Sequence, residues 1–595
     1  MDLLAPKRKI TEIIHSLRST SMTSAELTGI LGLTFYLRLL YFGQYIDADV
    51  GNLGYLAWRM AEGEVLLDLE GPGKPPLYFM LYSLFIRLFG PSVLGLKLFG
   101  AIFVLMAVLA IYWVANRTYG RQVGLLAALL FGVFSSGPMV EGGGVNLETV
   151  LHLPYILAIG LFLKASMSGR VRWYFLTGLC AALATLVKQV GGVLFFIFLC
   201  YGIHERWIKK GPFLLKQWFY PVRKPRHLWR GWRKKCSFLI DPVRKHLSNG
   251  VEGGVQSPAL SNGVNRYLLL AGGALLPVIG MIAFYSFHGY TLNQLYDSML
   301  GSNLRYIHRG HQFTNPLKNF SSSLEFILPE NGLIWFGTMF ASAYLLWRIW
   351  HNKGQPADRI LIWWAFWSFA VLCIVGTFFS HYFLQIIAPF SVLTAYGIVT
   401  AWKWTKSLSI LFRYVVKGVW ILLLGIAIII FIKNDYKYFF TYTPEEKTMF
   451  QYRGLDGLFD VYGIYNIVQQ DIAFHIQAYS DPTETIYVWG IAPQIYFLAQ
   501  RRAATRYRNN YNMSQLVTGN GLKALMDYAP VMMGDLKQSH PVYIVQIFPL
   551  EYLQEFQTFV RDHYKVEMEI NLNVPPYRIR LYRKSRDIEV IPDAR

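Results

Sequence analysis

Apolar runs long enough to cross a bilayer recur along this 595-residue chain, and they limit what it can fold into. Inside hydrocarbon no water is available to the backbone, so only a helix or a closed barrel satisfies its own N–H and C=O groups, and a helix needs about 17–25 apolar residues to cross. Such runs lie at 27–45, 93–115, 122–138, 149–166, 171–187, 189–203, 266–288, 331–350, 359–378, 382–402 and 412–432. The stretch 171–203 is too long for one span at about 1.5 Å per residue, and Lys188-Gln189 in its middle predicts a turn at an interface. Residues 74–90, "KPPLYFMLYSLFIRLFG", open on two prolines and carry Arg87, which predicts a helix lying on or dipping into the outer leaflet. Only 16% of residues are charged, against about 25% in a soluble protein. The expectation is a polytopic α-helical membrane protein of about 11 spans.

Charge orients it. Loop 204–265 holds thirteen Lys/Arg against three acids, and Lys7, Arg8, Lys9, Arg18, Arg117 and Arg121 add to the same side. Basic loops stay cytoplasmic, which puts the N-terminus and loop 204–265 inside. Loop 46–92, residues 139–148 and 289–330, and everything after 432 then fall outside. The tail turns polar, with alternating runs "TIYVWG", "PVYIVQIF" and "YRIRLYR" that predict strands, and with helical segments at 444–480 and 549–564. Two units are expected: a membrane domain over 1–434 and an extracytoplasmic α/β domain over 435–595. The basic loop reads as a topology signal resting on anionic membrane lipids, so the net charge of +21 does not imply nucleic acid. The four cysteines show neither metal spacing nor a disulfide framework.

Against this basic background, Ile46–Tyr78 carries six acids (Asp47, Asp49, Glu62, Glu64, Asp68 and Glu70) and two bases, Arg59 and Lys74. A carboxylate at a bilayer boundary is costly and is a functional candidate, although Asp47 could also cap the helix that follows. Leu53, Leu56, Ala57 and Met60 share one helical face, which predicts a surface helix behind the two aspartates. Gly71, Gly73, Pro75 and Pro76 predict a tight turn holding Lys74.

The Asp after the first span, the "WRMAEG" helix, and the later Asp with "KPPL" together resemble the first external loop of the dolichyl-phosphate-mannose protein mannosyltransferase and aminoarabinose transferase group. "VNLETVLHLPYILAI" resembles that group's second external loop, with Asn146 and Glu148. "LVKQVGG" resembles its Lys-Gln turn, with Lys188. "SHYFLQIIAPFSVLTAYG" resembles its late span, with His381 and Tyr382. "IYVWGIAPQIYFLAQRRAATRY" resembles the start of the external domain in its bacterial members. Where many members have Asp-Glu, this chain has Asp-Ala-Asp; counting back from Gly63 aligns Asp49 better, with Asp47 beside it.

The resemblance implies the GT-C fold and a glycosyltransferase, glycosyltransferase family 39-like, acting at the outer face of the cytoplasmic membrane. The donor would be a polyprenyl-phosphate-linked sugar and the acceptor a lipid, a glycan or a protein, with inversion. An aspartate would act as general base on the acceptor hydroxyl, which it must approach within about 2.6–3.2 Å. The anionic leaving group needs cations: Lys74, Lys188, Arg305, Arg309 and His381 are the candidates. Asp68, Asn146, Glu148 and Tyr382 complete the expected site. An Asp-x-Asp pair can bind a divalent metal through oxygen, so Asp47 and Asp49 are also the metal candidates. The alternative, a transporter or flippase of a lipid-linked sugar, calls for mid-depth ionisable residues or matching halves. Neither is visible here.

Overall fold

The computed structural model describes residues 23–69, 73–210, 261–305, 315–452, 459–506, 521–572 and 578–585. Each of the eleven apolar runs carries a helix. Among the described residues seven helices are long and apolar enough to cross a membrane by length and composition, and Arg121–Phe134, Val171–Val187 and Gln189–Glu205 are shorter apolar helices. The chain is a multi-pass membrane protein. The basic N-terminal residues to Arg18, most of loop 204–265 with Cys236, and Arg309 lie outside the described residues.

The elements that position the site are few. Helix α1 (23–39) leads through a turn into α2 (Ala48–Ala61), and α3 (Leu77–Phe89) follows. At about 1.5 Å per residue, the 13 residues of α3 reach about 20 Å, short of a full crossing. Its Leu84, Leu88 and Phe89 are exposed, as suits a helix lying in a membrane face. Next come α4 (Val93–Tyr119), α5 (Arg121–Phe134), α6 (Leu147–Ser168) and α7 (Val171–Val187). The chain breaks where expected: Lys188 caps α7 in an extended conformation, a short 3-10 turn covers Gln189–Gly192, and α8 (Val193–Lys210) resumes. Helix α9 (Ser261–Phe287), α10 (Leu292–Tyr296), the 35-residue α11 (Pro316–Trp350), α12 (Pro356–Val375), α13 (Leu384–Trp404) and α14 (Ile410–Tyr436) complete the bundle.

The tail forms a mixed five-stranded sheet. Strands β1 (Thr485–Trp489), β2 (Arg502–Ala503) and β3 (Tyr543–Gln546) pair in parallel, and β4 (Tyr564–Asn571) and β5 (Arg578–Lys584) pair antiparallel, in the order β2-β1-β3-β5-β4. Helices lie at Pro444–Tyr452, Phe459–Tyr479 and Gln554–His563, where the sequence predicted them. Strand β4 was not expected. It is an edge strand whose Tyr564, Val566, Met568 and Ile570 do alternate with Lys565, Glu567, Glu569 and Asn571, the period of a half-buried strand, but the helix Gln554–His563 runs into it with no turn residues between, so no boundary announces it.

One expectation is corrected. Helix α2 does carry Leu53, Leu56, Ala57 and Met60 inward, but its other face is covered too. The segment Gln494–Ala499 lies across it. The Tyr55 ring packs tilted against Tyr496 with centroids 5.3 Å apart, and the Tyr55 hydroxyl accepts the Ala503 N–H at 2.9 Å. Arg502 reaches Glu62 at 3.0 Å, and the Gln500 amide donates to the Pro91 carbonyl at 2.9 Å. The helix is clamped between the membrane bundle and the α/β layer rather than lying on a surface.

That clamp depends on small residues. A Cβ at Gly51 would overlap Cα and Cβ of Gln494, and one at Gly54 would press into the Phe497 ring. Gly51→Val is expected to lower stability by about 1–3 kcal/mol, the cost of overpacking a close contact, read as a lower melting temperature in detergent. Gly43→Ala, with open space at its Cβ, should stay within about 0.5 kcal/mol of the parent.

Candidate active site

The site grows from the turn before α2. Asp47 is the N-cap residue, and its Oδ1 accepts the Val50 N–H at 2.7 Å. Asp49 follows in the first helical turn and is exposed. The capping reading of Asp47 is therefore true, and it leaves the second carboxylate oxygen available. Asp47 lies within electrostatic reach of Asp49, Glu141 and His381. Burial first, then the neighbouring carboxylates Asp49 and Glu141, push its carboxyl up to about 7, against the Val50 hydrogen bond and His381, which pull it down.

A second loop meets it. Residues 137–146 fold into a glycine-rich turn in which Glu141 takes a left-handed conformation, φ 53°, unusual for a side chain of this kind. The Glu141 carboxylate accepts from His381 Nδ1 at 2.9 Å. A carboxylate is acceptor-only, so this partner places the hydrogen on Nδ1 and frees Nε2. Gly143 packs against the Tyr41 ring with no room for a Cβ. Tyr78, fully buried at the end of the "KPPLY" turn, donates to the Val145 carbonyl at 2.7 Å and ties the two loops together.

The third piece is the helix break. Lys188 Nζ pairs with the buried Glu148 carboxylate and lies 4.3 Å from the centre of the Tyr382 ring. Tyr382 sits edge-on to His381, centroids 4.7 Å apart. Gln189, next in sequence, donates to the carbonyls of Gly73 at 2.8 Å and Met299 at 2.9 Å. The lysine of the Gly-Pro turn, Lys74, is thus neighbour to a residue pinned beside Lys188. Lys74 shows no hydrogen bond or ion pair among the described residues. Asn146 is buried at the start of α6, with its Nδ2 unpartnered among the described residues.

Asp47, Glu141, His381, Glu148, Lys188 and Tyr382 therefore converge, and Lys74 is tied to them through the backbone. Arg305 is tied to the same turn through Asn303, whose Nδ2 donates to the Gly73 carbonyl, but its own guanidinium forms an exposed bidentate pair with Asp297 at 2.6 and 3.0 Å. Asp68 is exposed and accepts from the Tyr290 hydroxyl. Glu62 and Glu64 hold the buried Arg59, so part of the loop's acidity is structural. Among the described residues, no three His, Cys, Asp or Glu side chains are grouped to hold a metal ion.

Comparison with known proteins now bears on this arrangement. Residues 73–220, 148 of the 595, match the family described as dolichyl-phosphate-mannose-protein mannosyltransferase. ArnT from Cupriavidus metallidurans in the apo state is similar in structure at 12% identity, with TM-score 0.50 over 94% of this chain and 98% of that one. The same protein bound to undecaprenyl phosphate gives 0.49 at 14% identity over the same shares. The apo oligosaccharyltransferase of Archaeoglobus fulgidus gives 0.46 at 14%, over 95% of this chain and 75% of that one. No curated protein is matched. This chain has the GT-C fold of membrane glycosyltransferases.

Within that fold, two residues escaped sequence reasoning. Glu141 stands in "MVEGGGVN", where the run of glycines was the available signal: a non-glycine residue amid such a turn is there for its side chain. Glu330 had no signal, since it sits in α11 among residues read as an external loop. It is 2% exposed and accepts the Met139 N–H at 2.9 Å, and Gly137 has no space for a Cβ beside it. It thereby fastens the turn that presents Glu141. Glu330→Gln, which keeps an acceptor oxygen, is expected to retain most turnover. Glu330→Ala leaves a buried N–H unpaired, at a cost of about 1–3 kcal/mol, and should lower turnover at least tenfold. Melting curves and turnover measured together check this; equal turnover in both variants removes Glu330 from the argument.

Proposed function

We propose that this GT-C protein transfers a sugar from a polyprenyl-phosphate donor to an acceptor hydroxyl at the outer face of the cytoplasmic membrane. The observation that carries the reading is the meeting of one carboxylate, Asp47, with two cationic or proton-donating groups, His381 and Lys188, at the mouth of the helix bundle. The family matched over residues 73–220 is named for a dolichyl-phosphate-linked mannose as donor and a protein as acceptor, which agrees in chemical class. The N-terminus and loop 204–265 are then cytoplasmic and the α/β domain external, as the basic residues require.

The residues divide the work. Asp47 takes the proton as the acceptor oxygen attacks the anomeric carbon. The bond from that carbon to the phosphate oxygen breaks, and the polyprenyl phosphate leaves with one more negative charge. Lys188 Nζ spends one of its three donors on Glu148 and keeps two for the phosphate; His381 meets the same charge as the imidazolium, donating from Nε2 while Nδ1 holds Glu141, and Lys74 faces it too. These groups help most as the charge develops, so they act on turnover more than on donor affinity. Asn146 and Glu148 are placed to meet sugar hydroxyls or to hold Lys188. A single displacement inverts the anomeric centre. A divalent metal on Asp47 and Asp49 is unnecessary to this scheme.

Three measurements test it. Purified protein given polyprenyl-phosphate-sugar and acceptor should release polyprenyl phosphate; sugar crossing vesicles without release would establish the transporter reading instead. A base must be ionised, so kcat/KM should rise with pH through about 7. Asp47→Asn should abolish transfer. Asp49→Asn removes a charge that raises the Asp47 carboxyl and should move the acid limb to lower pH; activity kept in Asp47→Asn and lost in Asp49→Asn makes Asp49 the base. For orientation, cysteine placed at Ser585 should label from outside intact cells and cysteine at Ser248 should not; the reverse pattern inverts the topology.

A further inference from the structure

Four helix ends meet at the far end of the bundle. Glu148 to Lys164 along α6, and Lys188 back to Arg172 along α7, are each 16 residues, about 24 Å at 1.5 Å per residue, close to the thickness of the hydrocarbon layer. There α4 supplies Arg117, α6 Lys164, α7 Arg170 and Arg172, and α9 Arg266. Lys164 Nζ lies 3.5 Å from the centre of the Trp173 ring, and Arg172 Cζ lies 4.8 Å from the same ring. Arg266 Cζ is 5.9 Å from the centre of the Tyr174 ring. Lys164 also feels the charges of Arg117, Arg172 and Arg170.

Among the described residues none of these five cations has a carboxylate partner. The acid that does reach Tyr174, Glu205, is held by Arg359. Like charges gathered this way repel, and elsewhere in this chain the buried Arg59 and the half-buried Lys188 and Arg348 have acids beside them. A cluster of this kind calls for an anion. The apolar surface says what kind: on the bilayer side of Arg266 in α9, Leu268 is 62% exposed and Leu275, two turns on, is 53% exposed. Cations around an indole, flanked by bare apolar side chains, match the level of a bilayer where headgroup gives way to acyl chain.

We propose that Arg117, Lys164, Arg170, Arg172 and Arg266 form a binding site for the headgroup of an anionic phospholipid in the leaflet opposite the Asp47 site. The arginines meet the phosphodiester oxygens through their forked donors, Lys164 and Trp173 sit beneath, and the acyl chains run along Leu268 and Leu275 of α9. The proposal stands apart from the sugar-transfer reading and survives its failure.

Native mass spectrometry of the full chain released from micelles containing either phosphatidylglycerol or phosphatidylcholine tests it. The wild type is expected to keep one phosphatidylglycerol at least tenfold more often than phosphatidylcholine, and to melt at higher temperature with it. Arg170→Gln/Arg172→Gln changes only exposed side chains and should lose most of that preference; Lys164→Gln alone should weaken it, should the double variant purify poorly. Equal retention of the two lipids by the wild type, or an unchanged preference in the variants, overturns the proposal. So does equal stabilisation by inorganic phosphate, which would make the patch a site for a free anion.

Discussion

The contact between Lys188 and Glu148 is the fixed point of this protein. Both groups sit where helices end at the edge of a bundle, and Glu148 is 1% exposed. A buried carboxylate is tolerated only with a partner, because desolvating an unpaired charge costs several kcal/mol. Lys188 can reach it only because α7 stops at Val187 and the chain turns before α8. The helix break, the position of Gln189 against the Gly73 carbonyl, and the direction of α6 are therefore one constraint seen from three places.

From that point the loops lock in sequence. Gln189 holds the Gly-Pro turn, Tyr78 at the end of the turn holds Val145, the 137–146 loop presents Glu141, and Glu141 orients His381. Glu330 fastens the same loop from below. The left-handed backbone at Glu141 is strained for a non-glycine residue by about 1–3 kcal/mol, and the surrounding hydrogen bonds make that conformation the one that persists. The α/β layer then closes over α2 through Gln494 and Tyr496, so that Asp47 opens a helix held on both sides.

Much of this was legible in the sequence. Apolar run length placed every span-bearing helix, and the polar pair Lys188-Gln189 placed the break, because solvation and helix geometry act locally. Asp47, Glu148, Lys188, His381 and Tyr382 were nameable because charge and aromatic residues at span ends are conspicuous. Other features depend on contacts between residues far apart in the chain. Glu330 is 191 positions from Met139, and nothing near it in sequence announces the partnership. Arg305 reads in the sequence as a free cation, yet its neighbour Asp297 engages two of its five N–H donors. Of the six acids in loop 46–92, Glu62 and Glu64 serve a buried arginine. Charge count cannot separate a carboxylate that holds a structure from one that faces a substrate.

The central claim is where the leaving phosphate sits. A structure of the chain with polyprenyl phosphate bound tests it directly. The account expects the phosphate oxygens within about 3.2 Å of Lys188 Nζ and His381 Nε2, with Asp47 facing the open side. Phosphate held instead by Arg305, with Lys188 and His381 still engaged only to Glu148 and Glu141, would contradict it.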